Sequence, residues 1–270
     1  MQNNPIIETM LNRKSIRKYK PDAPSDEVIE TVSRAGQQAP FASQLCSLLL
    51  SRRQNKNPFK SPLFFIVCVD AHKWELIMAK RNWEMAVDDL SLLLMGLQDA
   101  ALMAENMVIA AESLGMGSCF LGGIPFNSKK IIEAYELPPR VFPMVGLAMG
   151  YPAENPPPRP RYPMEFVLFE DTYPQLDEDL ICRAMEVMDD GYRAQDYYSE
   201  RNAMLPLKGD REETFTYETY GWTEHICRKW GQNLFSRSLL EQFEKCGFDI
   251  ADPSTADRHR MNSMLLQETC

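Results

Sequence analysis

Histidine is scarce in this chain of 270 residues, with only His72, His225 and His259. None stands at ligand spacing from another donor, so no metal site is assigned. The 7 cysteines, at 46, 68, 119, 182, 227, 246 and 270, are odd in number and form no C-x-x-C pair. That argues against a disulfide framework and fits structural thiols in a reducing compartment; the expected localisation is cytoplasmic. Long apolar runs are missing too. The most apolar stretch, Leu90 to Leu114, is interrupted by Gln98, Asp99, Glu105, Asn106 and Glu112, so it reads as a buried core helix and no membrane is expected as a partner. Met1-Gln2-Asn3-Asn4-Pro5 has neither the basic nor the apolar part of a secretory signal. Positive charge is in deficit: 29 Lys and Arg against 38 Asp and Glu leave a net charge of -9, which argues against a nucleic-acid partner. Finally, there is no Walker loop, G-x-S-x-G elbow or H-E-x-x-H pair. Gly115-Met116-Gly117 fails as a dinucleotide fingerprint, because Phe120 takes the third glycine position and the segment follows a helix. Without triad, metal or P-loop, a cofactor that brings its own chemistry becomes attractive.

What is present is an ordinary globular composition, 44% hydrophobic and 25% charged, large enough for a sizeable core. A short helix is predicted over 3–12. Ser25 caps a second helix that runs to about Gln37, with Asp26 and Glu27 in its first turn. Strands are predicted over Ser47 to Arg52, Phe64 to Val69, Ser118 to Leu121 and Met144 to Met149. From Asp88 to Leu114 the apolar positions recur on nearly all sides of a helix, as in one surrounded by protein. A further helix is expected over 128–136. The stretch 153–163 is rich in proline and reads as extended and irregular. Two amphipathic helices follow, about 176–201 and 222–246, and the tail 251–270 has little periodicity. Strands separated by helices and then helices alone indicate an α+β class. The expected organisation is a core over 1–172, a helical extension over 173–250 and a polar tail.

Three constellations carry chemistry. Arg13, Ser15 and Arg17 alternate, so in extended backbone they share one face and form a cradle for a phosphate monoester; the alternative is a solvated basic strand. Arg159 and Arg161 lie in Pro158-Arg159-Pro160-Arg161-Tyr162-Pro163, where prolines reduce the entropy lost on clamping an anion; the alternative is a stiff solvent-exposed linker. After the buried helix, Phe120-Leu121-Gly122-Gly123 places two glycines where backbone N–H groups can approach a ligand.

Taken in order, Arg13-Lys14-Ser15-Ile16-Arg17, Gln44-Leu45-Cys46-Ser47, Leu114-Gly115-Met116-Gly117, Phe120-Leu121-Gly122-Gly123, Phe142-Pro143, Gly150-Tyr151-Pro152-Ala153-Glu154-Asn155-Pro156 and Arg159-Pro160-Arg161 resemble the nitroreductase family, closest to its NADPH-dependent major nitroreductase and flavin reductase P branch. The likeness covers 5–172 and continues through Tyr197-Tyr198-Ser199-Glu200-Arg201 and Trp222-Thr223-Glu224-His225-Ile226. It implies a nitroreductase-like mixed or antiparallel sheet flanked by helices, a C-terminal helical extension and an intertwined homodimer. It also implies FMN as cofactor and NADPH or NADH as donor. The FMN phosphate would meet Arg13, Ser15 and Arg17 from one side and Arg159 and Arg161 from another. Lys14 would lie near the pyrimidine end of the flavin, and Phe120, Leu121, Gly122 and Gly123 along the ring, with a glycine amide facing N5. Phe41, Ala42 and Gln44 would reach the flavin of the partner subunit. Lys60 stands where that branch has glutamine, and there it would raise the reduction potential unless it simply faces solvent. Arg201, Lys208 or Arg211 would help hold the nicotinamide donor. The implied reaction is ping-pong hydride transfer to nitroaromatics, quinones or flavins, with no side chain as general acid or base. Reductive dehalogenation, enone reduction and a flavin-binding module without turnover are the alternatives.

Overall fold

The computed structural model describes residues 4–232 and 239–250. Those residues fall into two compact units, one of 4–156 with 239–250, the other of 157–232. The first unit is built on α1 (Pro5–Asn12), α2 (Asp26–Gln37), β1 (Cys46–Ser51), β2 (Leu63–Asp70), α3 (His72–Lys80), α4 (Asp89–Ser113), β3 (Gly117–Leu121), α5 (Ser128–Tyr135), β4 (Val141–Gly150) and α8 (Leu239–Lys245). The second contains α6 (Glu178–Arg193) and α7 (Trp222–Gly231).

The four strands form one antiparallel sheet in the order β1-β2-β4-β3. Every residue of β2 is buried, as its unbroken apolar run requires of a central strand. β4 begins three residues earlier than its apolar core indicates, taking in Pro143. A register shift falls between Val67 and Cys68 of β2, where Cys68 faces Pro143. Proline has no N–H for the ladder, and a bulge is where a central strand tolerates it.

α4 starts at an Asp88 cap whose side chain accepts from Ser91 N at 2.9 Å. One face, Leu92, Leu93, Gly96, Asp99, Ala100, Met103, Ala104, Met107, Val108 and Ala111, is buried. Gly96 is where it comes closest to the sheet: a Cβ there would lie 2.4 Å from Val69 Cγ1. Ser25 caps α2 through Val28 N at 3.3 Å, as its sequence indicates.

Four features depart from the sequence expectations. α3 lies where no helix is expected from the sequence. The helix expected over 222–246 is two elements: α7 closes at Gly231 and Gln232, while α8 belongs to the first unit, where Phe243 packs on Phe142 with ring centroids 4.4 Å apart. The helix expected over 176–201 ends at Arg193, followed by turns in which Asp196 and Asn202 have left-handed backbone. The unit boundary also lies earlier than 172, at the start of the proline run, and the tail 251–270 falls outside the described residues.

Candidate functional site

Residues 13–20 run in extended form across the ends of β3 and β4. Ile16 is buried and its N–H donates to Ser118 O at 2.8 Å, while Ser15 forms a parallel bridge with Ser118. Gly117 makes room for that approach, since a Cβ there would meet Ile16 Cγ1 at 2.4 Å. Further along, Lys20 N donates to Tyr151 O at 2.8 Å and Ala153 N to Lys18 O at 2.9 Å. The Tyr19 hydroxyl donates to Ile16 O or Ala148 O, 2.6 and 3.0 Å away. Burial pushes its phenol far above the ordinary range, so it stays a neutral donor. Glu154 fixes the middle of the segment by accepting from Arg17 N at 2.5 Å and Lys18 N at 3.1 Å. Lys14 Nζ donates to Asn155 Oδ1.

With Ile16 inward, Arg13, Ser15 and Arg17 take the alternate positions, and all three are half-buried. Arg13 Nη1 is buried without a hydrogen-bond partner. A buried guanidinium nitrogen left unbonded is costly, and an anion is the group that satisfies it. The surroundings bring the three side chains into one electrostatic neighbourhood. Burial raises the Cys119 thiol, opposed by the Arg17 charge, a hydrogen bond with Ser15 and the Arg13 charge. Burial also raises the Glu112 carboxyl to about 7, opposed first by Arg13 and then by the Ser118 hydroxyl, which donates to Glu112 Oε1 at 3.3 Å. The residues present fit a phosphate group.

At the far end of β3, Phe120 and Leu121 lead into a turn at Gly122-Gly123. Both glycines are exposed, and nothing lies within 4 Å of where a Cβ would stand on either. The turn is tied by Asn127 Nδ2, which donates to Gly123 O at 2.9 Å. Lys60 is exposed and closes a short turn in which it and Phe59 both have positive φ, 51° and 55°. Two adjacent non-glycine residues in that region are strained. Buried Asn57 braces the turn by donating to Ser51 O and Ser61 O at 3.2 and 2.9 Å.

The loop 39–45 leads into β1. Phe41, Ala42 and Gln44 are exposed, and Gln44 has φ 51°. Asp99 of α4, 2% exposed, accepts from the amides of Ala42 at 2.6 Å, Ser43 at 3.2 Å and Leu45 at 2.9 Å. Sequence reasoning treated Asp99 only as an interruption of an apolar helix; an acid inside such a helix is the available signal.

The second unit holds the other arginines. Arg159 is half-buried; its guanidinium donates to Gln195 Oε1 and lies 4.2 Å from the centroid of the Tyr197 ring. Arg201 lies 4.3 Å from the same ring and donates to Tyr197 O at 2.9 Å. Arg161 is exposed and turns back to donate to Arg159 O and Pro160 O, each at 3.0 Å. Lys208 is tied to Gln232 O at 3.3 Å, and Arg211 is exposed. Arg228, missed in the sequence, anchors this region. It is 3% exposed and makes a bidentate pair with Glu213 at 2.6 and 2.7 Å, with further bonds to Glu224 and Leu205 O, each at 2.7 Å. Hydrogen bonding to Arg228 holds the Glu213 carboxyl down to about 2.

In comparisons with known proteins, residues 10–57 and 50–151 match the model of the nitroreductase family. An FMN reductase (NADPH) of Bacillus subtilis (strain 168) is 33% identical over 229 residues, 79% of this chain and 89% of that protein. An oxygen-insensitive NADPH nitroreductase of Salmonella typhimurium is 30% identical over 239 residues, 83% of this chain and 90% of that protein. The solved structure of a Bacillus subtilis nitroreductase matches with a TM-score of 0.74 at 28% identity, covering 90% of this chain and 98% of that one.

Proposed function

Because the chain belongs to the nitroreductase family, we propose that it is an FMN-dependent oxidoreductase that draws electrons from NADPH or NADH and delivers them to small electron-poor acceptors: nitroaromatics, quinones or flavins. The observation that carries this reading is the buried, unbonded Arg13 Nη1 on the face shared with Ser15 and Arg17. When bound, FMN supplies the hydride chemistry. Arg13 and Arg17 offer planar forks to phosphate oxygens and Ser15 adds a hydroxyl donor. Lys14 and Lys60 are the cations assigned to the pyrimidine side of the ring, where positive charge favours an electron-rich flavin. Gly122 and Gly123 leave their amides approachable, next to Phe120 and Leu121. Arg201, Lys208 and Arg211 are the candidates for holding the donor.

The working unit in this reading is a homodimer in which Phe41, Ala42 and Gln44 serve the flavin of the second protomer. Leu90, Leu94 and Leu102 support it, since these α4 residues are 60%, 58% and 44% exposed, an apolar stripe that a lone chain would leave in water. The six described cysteines are all free thiols, which fits a cytoplasmic protein.

The test is the visible absorption spectrum of the purified protein, followed anaerobically through addition of NADPH and, separately, NADH. A yellow protein that bleaches with one donor supports the reading and identifies the donor. A yellow protein that bleaches with neither is a flavin-binding module. A protein still colourless after FMN is supplied and the excess removed overturns the proposal.

A further inference from the structure

We propose that Asp99 is a positioning residue for the flavin site: from α4 it sets the shape of the Phe41–Gln44 loop that serves the second protomer. The inference rests on the functional reading above and goes beyond it by naming what holds that loop.

A carboxylate that is 2% exposed has lost its water, and among the described residues Asp99 forms no ion pair with a lysine or arginine. Such a group is retained only where hydrogen bonds replace the solvent. Here all the replacement comes from one loop, through the amides of Ala42, Ser43 and Leu45. Gln44 is the residue skipped, and its left-handed backbone, φ 51°, is the cost of turning its neighbours toward one acceptor. The opposite side of the loop is also held, because Trp74 Nε1 of α3 donates to Ser43 O at 2.6 Å. With Ser43 bonded at both its N–H and its C=O, the loop cannot rotate about that residue without breaking a bond to one helix. Phe41, Ala42 and Gln44 are consequently displayed in a fixed order, with a small cavity of about 90 Å³ behind them that Asp99 and Gln44 both line. A packed helix has no need of an acid at this depth. The loop does, if it must arrive at a ring already shaped.

Asp99→Asn is the direct variant. It keeps the volume but turns one acceptor oxygen into an NH₂ group facing amide donors. The homodimer should bind FMN at least tenfold more weakly while retaining its far-UV circular dichroism and its dimeric elution. Trp74→Phe, which releases Ser43 O and leaves the carboxylate in place, should weaken FMN in the same direction. The decisive measurement uses mixed dimers, co-expressed with two affinity tags, of an Asp99→Asn chain and an Arg13→Ala/Arg17→Ala chain. One of their two sites combines an intact cradle from the first chain with an intact loop from the second. One tightly bound FMN per mixed dimer, half the wild-type amount, is the expected result, and a merely destabilising substitution would not produce it. Mixed dimers without a tight site, or Asp99→Asn homodimers that bind FMN like the wild type, overturn the inference. Wild-type protein that holds no FMN sinks the functional reading and this inference together, so the two failures are told apart by the wild-type control.

Discussion

Replacing Glu112 by glutamine should make the stability of the apo protein less dependent on pH. The carboxyl sits at the end of α4, half-buried, bonded by the Ser118 hydroxyl and within the field of Arg13. Burial is the largest influence on it and lifts its pKa from 4.5 to about 7. Since the folded value lies above the unfolded one, the folded chain holds more protons between those two values. The stabilisation is therefore full below 4.5 and is lost as pH rises through about 7. At about 1.4 kcal/mol per pH unit the whole displacement corresponds to roughly 3 kcal/mol. Solvent screens a half-exposed carboxyl, so roughly 1–2 kcal/mol is the expected share. Urea unfolding of the apo protein at pH values from about 5 to 8 should show the wild type losing that amount relative to Glu112→Gln. A phosphate held by Arg13 would add negative charge beside Glu112, so FMN binding should take up protons, and its affinity should fall above pH 7 more steeply in the wild type. Parallel stability profiles for the two proteins would refute the reasoning, because they would mean that Glu112 is ionised in the folded chain throughout.

Arg13→Lys keeps the charge and loses the fork. A charged hydrogen bond contributes about 1.5–3 kcal/mol, so FMN affinity should fall roughly tenfold to a hundredfold in a fluorescence titration; unchanged affinity would remove Arg13 from the phosphate site. Lys60→Gln should lower the midpoint potential of bound FMN by roughly 10–30 mV, about 0.5–1.4 kcal/mol for a two-electron couple, and an unaltered potential would return Lys60 to solvent. Arg228→Met breaks the bonds to Glu213, Glu224 and Leu205 O. Limited proteolysis should then cut within 205–220, and the KM for NADPH should rise with kcat retained; protection equal to wild type would show that the segment is held by other contacts.

The strands and the long helix were legible because their signals are local. An unbroken apolar run from Leu63 to Val69 has few alternatives to a central strand, and Ser25 with Asp26 and Glu27 marks a helix start in three residues. β4 was legible only in its interior, since Pro143 argues against a strand until the bulge opposite Cys68 is known. The break between α7 and α8 was hidden because amphipathic spacing continues across both, while the packing that claims α8 for the first unit comes from Phe142, about 100 residues away in sequence. At the site, the alternation of Arg13, Ser15 and Arg17 foretold a shared face. What fixes that face, Glu154 and the Gly117–Ile16 contact, is long-range and leaves no local pattern. Arg159 reads as a free clamp in sequence, yet its guanidinium is engaged by Gln195 and Tyr197. Arg228 and Asp99 were missed for a shared reason: the worth of a buried charge is set by its partners, and apart from Glu224, one turn before Arg228, these lie 15–57 positions away.

Gly96 gives the fold a depth gauge. The missing side chain lets α4 settle against Val69, and a Cβ would also come within 3.4 Å of Leu45 Cβ, the residue whose amide Asp99 receives. Asp99 follows three positions later, on the same side of the helix. How far the carboxylate reaches toward the loop is thus decided one turn earlier, by an absence of atoms. A methyl group at Gly96 would act as a shim under the helix, lifting the acid from its three amides without touching any residue that meets a ligand. The loop and the sheet share one mechanical reference, so a change made for packing would be read out as a change in binding.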